Sequence, residues 1–487
     1  MSETSCLKIE FFSGEDVPLE MHKVRMVQRL SLPSIDSRLA AVAEAGNNTF
    51  LLRNRDVFLD MLTDSGVNAM SENQYAAMMI ADDSYAGSET FYRLEATLKE
   101  MFGVKYFLPA HQGRACENIL AAAFVTPGST AIMNYHFTTT KAHILRMGGH
   151  IYEAFGPEAL TSVSDNPFKG DMDLGRLAAK VAEVGPEKVS FVRLEAGTNL
   201  IGGQPVSLAN MRRVSAFCRE KKLLLVFDAS LMADNLYFIK TREKDEMGRP
   251  LADIVREIGG LMDISYFSAR KLGCARGGGL VMSGDALYHK LRPMVPLFEG
   301  FLTYGGMSVR EMEALNVGLR ETLDIHVISQ TPIFVAALGR ALTEKGVPVI
   351  TPFGGLGCHI DAGRFVDHLP QDRYPAASLA AAVYLAGGIR GMERGTLSEQ
   401  RNPDGTEQLA PMELVRLALP KRVFTLSQIK FVADRLAWLH SHRRLIGGLV
   451  FEEEPEILRF FFGRLRPDSD WQQKLAAQFR ADMPSGF

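Results

Sequence analysis

From about residue 88 the chain alternates between two hydrophobic periods. Ser88 precedes a helical pattern with apolar positions at Phe91, Leu94, Leu98 and Phe102 and a stop at Gly103. Short continuous apolar runs then recur at Val104–Leu108, Thr130–Met133, Val189–Leu194, Leu223–Phe227, Ile264–Phe267 and Gly279–Met282. Helical stretches separate them, such as Ser207–Lys221 with Leu208, Met211, Val214 and Cys218 on one face. This alternation predicts an α/β fold around a mostly parallel sheet. After about residue 330 the pattern is mixed, with an amphipathic helix at Ser427–His440, and predicts a smaller α+β domain. Asn402-Pro403-Asp404-Gly405 reads as a turn, and Glu452-Glu453-Glu454 as a solvated loop. Asp468–Phe487 reads as a short helix with a frayed end.

The expected divisions are an N-terminal arm at 1–32, parts of the small domain at 33–60 and 326–466, a large domain at 61–325 and a C-terminal extension at 467–487. The chain has 487 residues and 46% hydrophobic content, enough for a sizeable core. Its 54 basic and 57 acidic residues leave a net charge of −3, which argues against nucleic acid or an anionic membrane as partner. The five cysteines (Cys6, Cys116, Cys218, Cys274 and Cys358) are spaced as neither a disulfide framework nor a zinc site. The start Met1-Ser2-Glu3-Thr4 is unlike a signal peptide, and the apolar stretch Ala376–Gly388 is too short to span a bilayer. A cytoplasmic location is expected.

Candidate chemistry follows from where charged residues interrupt these runs. Leu223–Phe227 ends in Asp228, and Ser268-Ala269-Arg270-Lys271 leads into Gly277-Gly278-Gly279. A carboxylate at a strand end and a lysine on a small-residue loop suit pyridoxal 5′-phosphate. Its aldehyde needs an amine for a Schiff base, and its pyridine nitrogen needs an anion to stay protonated. A helix cap and a surface lysine are the alternatives for Asp228 and Lys271. His111-Gln112-Gly113-Arg114 opens the apolar helix Cys116–Phe124, as a phosphate cradle or as an ordinary turn. Phe137 is a stacking partner for the ring or a core phenylalanine. Arg416, inside the apolar run Val415–Leu419, needs a partner, either a substrate carboxylate or a structural salt bridge. Tyr85 is a proton donor or a half-buried tyrosine.

The order of these segments resembles the aromatic amino-acid β-eliminating lyases, the tyrosine phenol-lyase and tryptophanase family, from about Ser34 to Leu465. The resemblance is carried by Asn48-Thr49-Phe50-Leu51-Leu52, Leu62-Thr63-Asp64-Ser65-Gly66, Tyr85-Ala86-Gly87-Ser88-Glu89, His111-Gln112-Gly113-Arg114 and Phe137-Thr138-Thr139-Thr140. Further along it is carried by Asn199–Pro205, Tyr304-Gly305-Gly306, Met392-Glu393-Arg394-Gly395 and Arg416-Leu417. It implies a fold-type-I pyridoxal enzyme, aspartate aminotransferase-like, with a small domain that closes over an amino-acid substrate and a homotetramer built as a dimer of dimers. It implies that Lys271 carries the cofactor, Asp228 faces the pyridine nitrogen, Phe137 stacks on the ring, and Gln112, Gly113, Arg114 and Ser268 hold the phosphate. Asn199 would touch the ring hydroxyl, and Thr63, Ser65 and Arg416 the substrate carboxylate. Tyr85, from a neighbouring subunit, would protonate the leaving carbon, with Tyr304 among the substrate-binding residues.

Arg394 with Thr138, and the pair Phe460-Phe461, resemble the phenol-lyase branch. The activity implied is a carbon–carbon lyase reaction on tyrosine or a related amino acid, giving a phenol-type product, pyruvate and ammonia. A potassium ion near Gly66, Asp83 and Arg276 is also implied. Leu231 and Leu356 stand where the family carries arginine and histidine, and Asp83 where it carries glutamate. Those departures keep open β-elimination or β-replacement on another β-substituted amino acid; an aminotransferase and a non-catalytic relative are further alternatives.

Overall fold

In the computed structural model of the protein, the apolar runs between residues 106 and 282 pair into one sheet. Residues 11–402 and 404–487 are described, so Cys6, the chain start and Pro403 of the predicted turn lie outside the described residues. Two units are present. The first comprises Ser65–Ala159 and Asn166–Pro332, with the described residues up to Asp16. The second comprises Val17–Asp64, Leu160–Asp165 and Ile333–Phe487.

Among the described residues the first unit holds seven strands. They are β1 (Tyr106–Ala110), β2 (Thr130–Met133), β3 (His150–Glu153), β4 (Val189–Glu195), β5 (Leu225–Asp228), β6 (Ile264–Ser268) and β7 (Gly278–Met282). Their order is β1-β7-β6-β5-β4-β2-β3, and β7 alone runs opposite to the other six. Alternate residues face opposite sides, and each side buries its own core. Val192, Leu194, Phe227 and Phe267 pack with Leu94, Leu98, Met211 and Ile258; Phe191, Val226, Ile264 and Leu280 pack with Ile119, Leu120 and Ile144.

The predicted helix after Ser88 spans Glu89–Phe102 and ends at Gly103 with φ 65°. Its cap is not the Ser88 side chain. The Asp82 carboxylate accepts from the Glu89 and Thr90 N–H groups at 2.7 and 3.0 Å and from the Ser88 hydroxyl at 2.9 Å. The helix from Leu208 to Lys221 is capped by Ser207 as its sequence suggests. Strand β3 has no counterpart in the apolar pattern: it lies at the sheet edge, with His150 exposed and the rest half-buried.

In the second unit β8 (Gly357–Asp361), β9 (Met392–Arg394) and β10 (Leu414–Ala418) form an antiparallel sheet of order β9-β10-β8. The helices Ile35–Glu44, Pro375–Gly387, Leu426–Ser441 and Trp471–Asp482 share its core through Val42, Leu379, Val432, Leu436, Trp471, Leu475 and Phe479. The predicted terminal helix is thus part of this core. The Arg38 guanidinium is buried there, donating from Nε to the Leu385 carbonyl 347 residues later at 2.7 Å. The acidic run at Glu452 is not a plain solvated loop. Leu449–Glu453 pairs as a strand with Arg464–Pro467, and Glu454 binds Arg401 and the buried Arg459 at 2.8 and 2.7 Å. None of Cys116, Cys218, Cys274 and Cys358 is disulfide-bonded.

Candidate active site

The carboxyl ends of β4 and β5 and the middle of β6 place Glu195, Asp228 and Tyr266 side by side. Glu195 pairs with Asp228 in register, and Asp228 with Tyr266. Residues paired across parallel strands share a face, and Arg193, two residues before Glu195, shares it too. The Asp228 carboxylate is buried and fully engaged on one oxygen. Oδ2 accepts from Arg193 Nη2 at 2.7 Å and from the Tyr266 hydroxyl at 2.8 Å, while Oδ1 accepts from the Ser230 N–H at 3.0 Å. Arg193 also reaches Glu195 at 3.0 Å. Glu117, on the overlying helix Gly113–Phe124, accepts from the Thr139 and Thr140 hydroxyls and lies 3.4 Å from the Tyr266 oxygen. Burial pushes Glu195 up to about 7 and raises Glu117 above the usual carboxylate range; the Arg193 charge opposes both shifts. Burial works against the Arg193 charge, but Tyr266, Glu195, Asp228 and Glu117 together hold its guanidinium ionised.

Next to this cluster the backbone closes tightly. Gln112 bridges to Gly277, and Gly113 begins its helix. A methyl on Gly113 would lie 3.0 Å from Ser268 Cβ, and one on Gly278 would lie 2.8 Å from the Gln112 carbonyl carbon and 3.0 Å from the Gly113 nitrogen. Helix-start N–H groups without intrahelical partners, a serine and side-chain-free backbone suit a phosphate. Lys271 lies on the turn of helix Ala269–Leu272 that follows β6, with Nζ 5.5 Å from the centre of the Phe137 ring. Phe137 is half-buried rather than core, at the start of helix Thr138–Arg146. Asn199 follows β4, its N–H donating to Glu195 at 3.2 Å. An amine beside a half-buried aromatic ring, a buried anion and this glycine cradle are residue types that fit pyridoxal phosphate.

Tyr85 is not half-buried but 73% exposed, 5.3 Å from the Tyr304 ring and 6.0 Å from Phe301. Its hydroxyl is raised above its ordinary range by a hydrogen bond with Tyr304. Gly66, at φ 80°, packs against the Arg270 guanidinium and donates to its carbonyl at 3.0 Å. Asp83 pairs with Arg310 at 3.4 Å, and the Arg276 N–H donates to Glu311 at 2.8 Å.

In the second unit Arg416, central in β10, is buried. It donates to the Leu62 carbonyl at 2.7 Å, beside Thr63, and contacts Met392 sulfur at 2.7 Å. Burial lowers it to about 10, with the Asp64 charge opposing. Arg394, at the end of β9, is buried 6.0 Å from the Phe460 ring centre. Phe460 and Phe461 lie 4.0 Å apart, and Phe50 meets both edge-on at 5.7 and 4.8 Å. Asn48 fixes this group by donating to the Phe460 and Gly463 carbonyls at 3.0 and 2.9 Å. Leu231 is buried against Gly197, and Leu356 is buried with φ 69°.

Sequence reasoning missed Arg193, Glu195, Tyr266 and Glu117. Arg193, a cation inside the apolar run Val189–Leu194, was the available signal.

The model of the family "Beta-eliminating lyase" matches residues 60–435. A tyrosine phenol-lyase of Pasteurella multocida is 40% identical over 452 residues, covering 92% of this chain and 99% of its own. One from Lacrimispora saccharolytica is 41% identical over 452 residues, covering 92% and 96%. Among solved structures, a serine palmitoyltransferase of S. paucimobilis superposes with a TM-score of 0.56 at 13% identity, covering 80% of this chain and 89% of its own, a likeness of fold alone. The chain therefore belongs to the β-eliminating lyase family and is a fold-type-I, pyridoxal-phosphate-dependent lyase.

Proposed function

We propose that the protein cleaves tyrosine or a closely related aromatic amino acid. Water is consumed, and a phenol-type product, pyruvate and ammonia are released. The observation that carries this reading is the buried Arg394 guanidinium near the Phe460 ring, which itself packs with Phe461 and Phe50, a pairing of charge and aromatic surface suited to a hydroxylated ring. Bound pyridoxal phosphate supplies an electron sink for the pair left at the substrate Cα. Gln112, Gly113, Arg114 and Ser268 hold its phosphate, Phe137 covers its ring, Asn199 meets its hydroxyl and Asp228 its pyridine nitrogen. Lys271 Nζ binds the cofactor and then takes the Cα proton. Arg416, Thr63 and Ser65 bind the substrate carboxylate. Arg394 and Thr138 hold the phenolic oxygen, and Tyr85 delivers a proton to the departing ring carbon. The exposure of Tyr85 supports its acting beside Tyr304 in another copy of the chain, within a dimer of dimers.

A potassium ion near Gly66, Asp83 and Arg276 is part of the proposal, as is a cytoplasmic location. Among the described residues one helical stretch, Ile325–Glu344, is long and apolar enough to cross a membrane, and its most apolar part is mostly buried. The test is incubation with L-tyrosine under a coupled pyruvate assay, expecting phenol and pyruvate in equal amounts. Absence of pyruvate from every aromatic amino acid supplied refutes it. Leu231 and Leu356 favour a second reading, elimination or replacement on another β-substituted amino acid. Pyruvate from such compounds but not from tyrosine would support that reading.

A further inference from the structure

The cluster beneath Asp228 contains one guanidinium and three buried carboxyls, those of Asp228, Glu195 and Glu117. A single cation cannot keep three buried carboxylates ionised in a medium this poor in water. Asp228 has the strongest claim on the charge. It takes the 2.7 Å contact from Arg193 and the 2.8 Å contact from Tyr266 on one oxygen, while Glu195 meets Arg193 at 3.0 Å and Glu117 is served by threonine hydroxyls. The upward displacement of Glu195 and Glu117 agrees with that division.

Geometry also fixes which oxygen is presented. Arg193 and Tyr266 occupy Oδ2, and the Ser230 N–H occupies one direction at Oδ1. Three donors on two oxygens prevent the carboxylate from turning, and a second lone pair remains on Oδ1. Leu231 brings no donor to this carboxylate; the guanidinium comes from the neighbouring strand.

We propose that Arg193, with Tyr266, is a positioning residue that holds Asp228 ionised and turns Oδ1 toward the pyridine nitrogen of the cofactor. This rests on the reading of Asp228 as the partner of that nitrogen. Arg193 is buried and acts through Asp228. It acts by favouring the ion pair of carboxylate and protonated ring over the neutral pair in which the proton has moved to Asp228.

The test uses the full-length protein loaded with cofactor labelled with ¹⁵N at the ring nitrogen, together with titration of the cofactor-free protein. In the parent the nitrogen signal is that of a protonated ring. In Arg193→Met the protonated fraction falls to about half or less, because the cation that favours the charged carboxylate is gone. Cofactor affinity falls about 10- to 100-fold, the range of a lost charge-assisted hydrogen bond. Arg193→Lys, which restores the charge, returns the signal toward the parent. A lysine variant as disturbed as the methionine variant overturns the charge argument. Should Arg193→Met fail to fold, Tyr266→Phe, which deletes a single oxygen, carries the test. A smaller shift in the same direction supports the proposal, and a parental signal overturns it. Asp228→Asn separates the two levels. If it changes the signal and Arg193→Met does not, only this proposal falls. If Asp228→Asn leaves the signal unchanged, the reading of Asp228 falls and this proposal with it.

Discussion

Adding one methyl group at Gly278 tests the phosphate cradle directly. The new carbon would stand 2.7 Å from the Phe267 carbonyl oxygen, 2.8 Å from the Gln112 carbonyl carbon and 3.0 Å from the Gly113 nitrogen. All three are backbone atoms, so no side chain can swing away. Gly278 pairs in register with Ser268 on one side and Ala110 on the other, which anchors its own backbone. Relief therefore requires the Phe267 carbonyl as well as Gln112 and Gly113 to retreat by roughly half an ångström, with an overpacking penalty of about 1–3 kcal/mol. That movement displaces the helix-start N–H groups assigned to the phosphate. Each 1.4 kcal/mol lost from binding is about tenfold in affinity, so Gly278→Ala is expected to bind pyridoxal phosphate about 10- to 100-fold more weakly. The assay is titration of cofactor-free protein, followed by the absorbance of the bound cofactor, with a thermal melt alongside. Gly260→Ala is the control: outside its own helix backbone and chain neighbours nothing lies within 4 Å of the added carbon, and the residue is within helix Leu251–Leu261. It should leave affinity unchanged and raise stability by up to about 1 kcal/mol. A Gly278→Ala protein that melts lower but binds normally would refute the placement of the phosphate. One that neither melts lower nor binds more weakly would refute the steric argument itself.

Arg394→Ala should lower kcat/KM for tyrosine about 100- to 1000-fold, while a β-substituted alanine with a small leaving group loses little; an equal loss on both would remove Arg394 from the aromatic subsite. Burial, with the Glu413 charge adding to it, holds Glu393 at about 7 against 4.5 unfolded. A raised carboxyl favours the fold while protonated, so this contribution is full below 4.5 and fades as pH rises to about 7. Its size is on the order of 3 kcal/mol, and Glu393→Gln should flatten the melting temperature across that window; an unchanged slope would contradict it. Lys271→Ala and Tyr85→Phe should each abolish pyruvate formation, and subunits mixed after dissociation should regain about a quarter of the parental rate if each site takes Tyr85 from a second copy. No recovery in a mixture shown to exchange subunits would place Tyr85 in its own subunit's site or outside the chemistry.

The sheet was legible wherever strands are buried on both faces, because such strands read as apolar runs whatever their order. β2 begins and ends where the run Thr130–Met133 does, whereas the edge strand β3 carries no such run and was invisible. Lys271, Asp228 and the Gln112-Gly113 turn could be read because each stands at the end of an element. The Arg193 network could not. Its members come from three strands and a helix, and only the sheet order brings residues 117, 193, 228 and 266 together. Ser88 was a plausible cap by residue type, but Asp82, six residues earlier, brings a full charge to the same N–H groups. Tyr85 sits in a polar loop, and sequence alone cannot separate a tyrosine packed into its own fold from one presented at the surface.

The bond between Arg38 and the Leu385 carbonyl also bears on how the chain is made. The two residues are 347 positions apart, and the helix carrying Arg38 shares its core with elements as late as Phe479. At about 5–20 residues per second, a ribosome needs roughly 20 to 70 s to supply that partner. For most of that interval, until residues from Phe334 onward emerge, Ile35, Val42, Leu52 and Leu59, all buried at the end, have no core to join. The first unit, by contrast, is complete soon after residue 332 emerges. The early segment therefore keeps its apolar residues without their packing partners until most of the chain has been made, and exposed apolar surface of that kind is what favours association and chaperone capture.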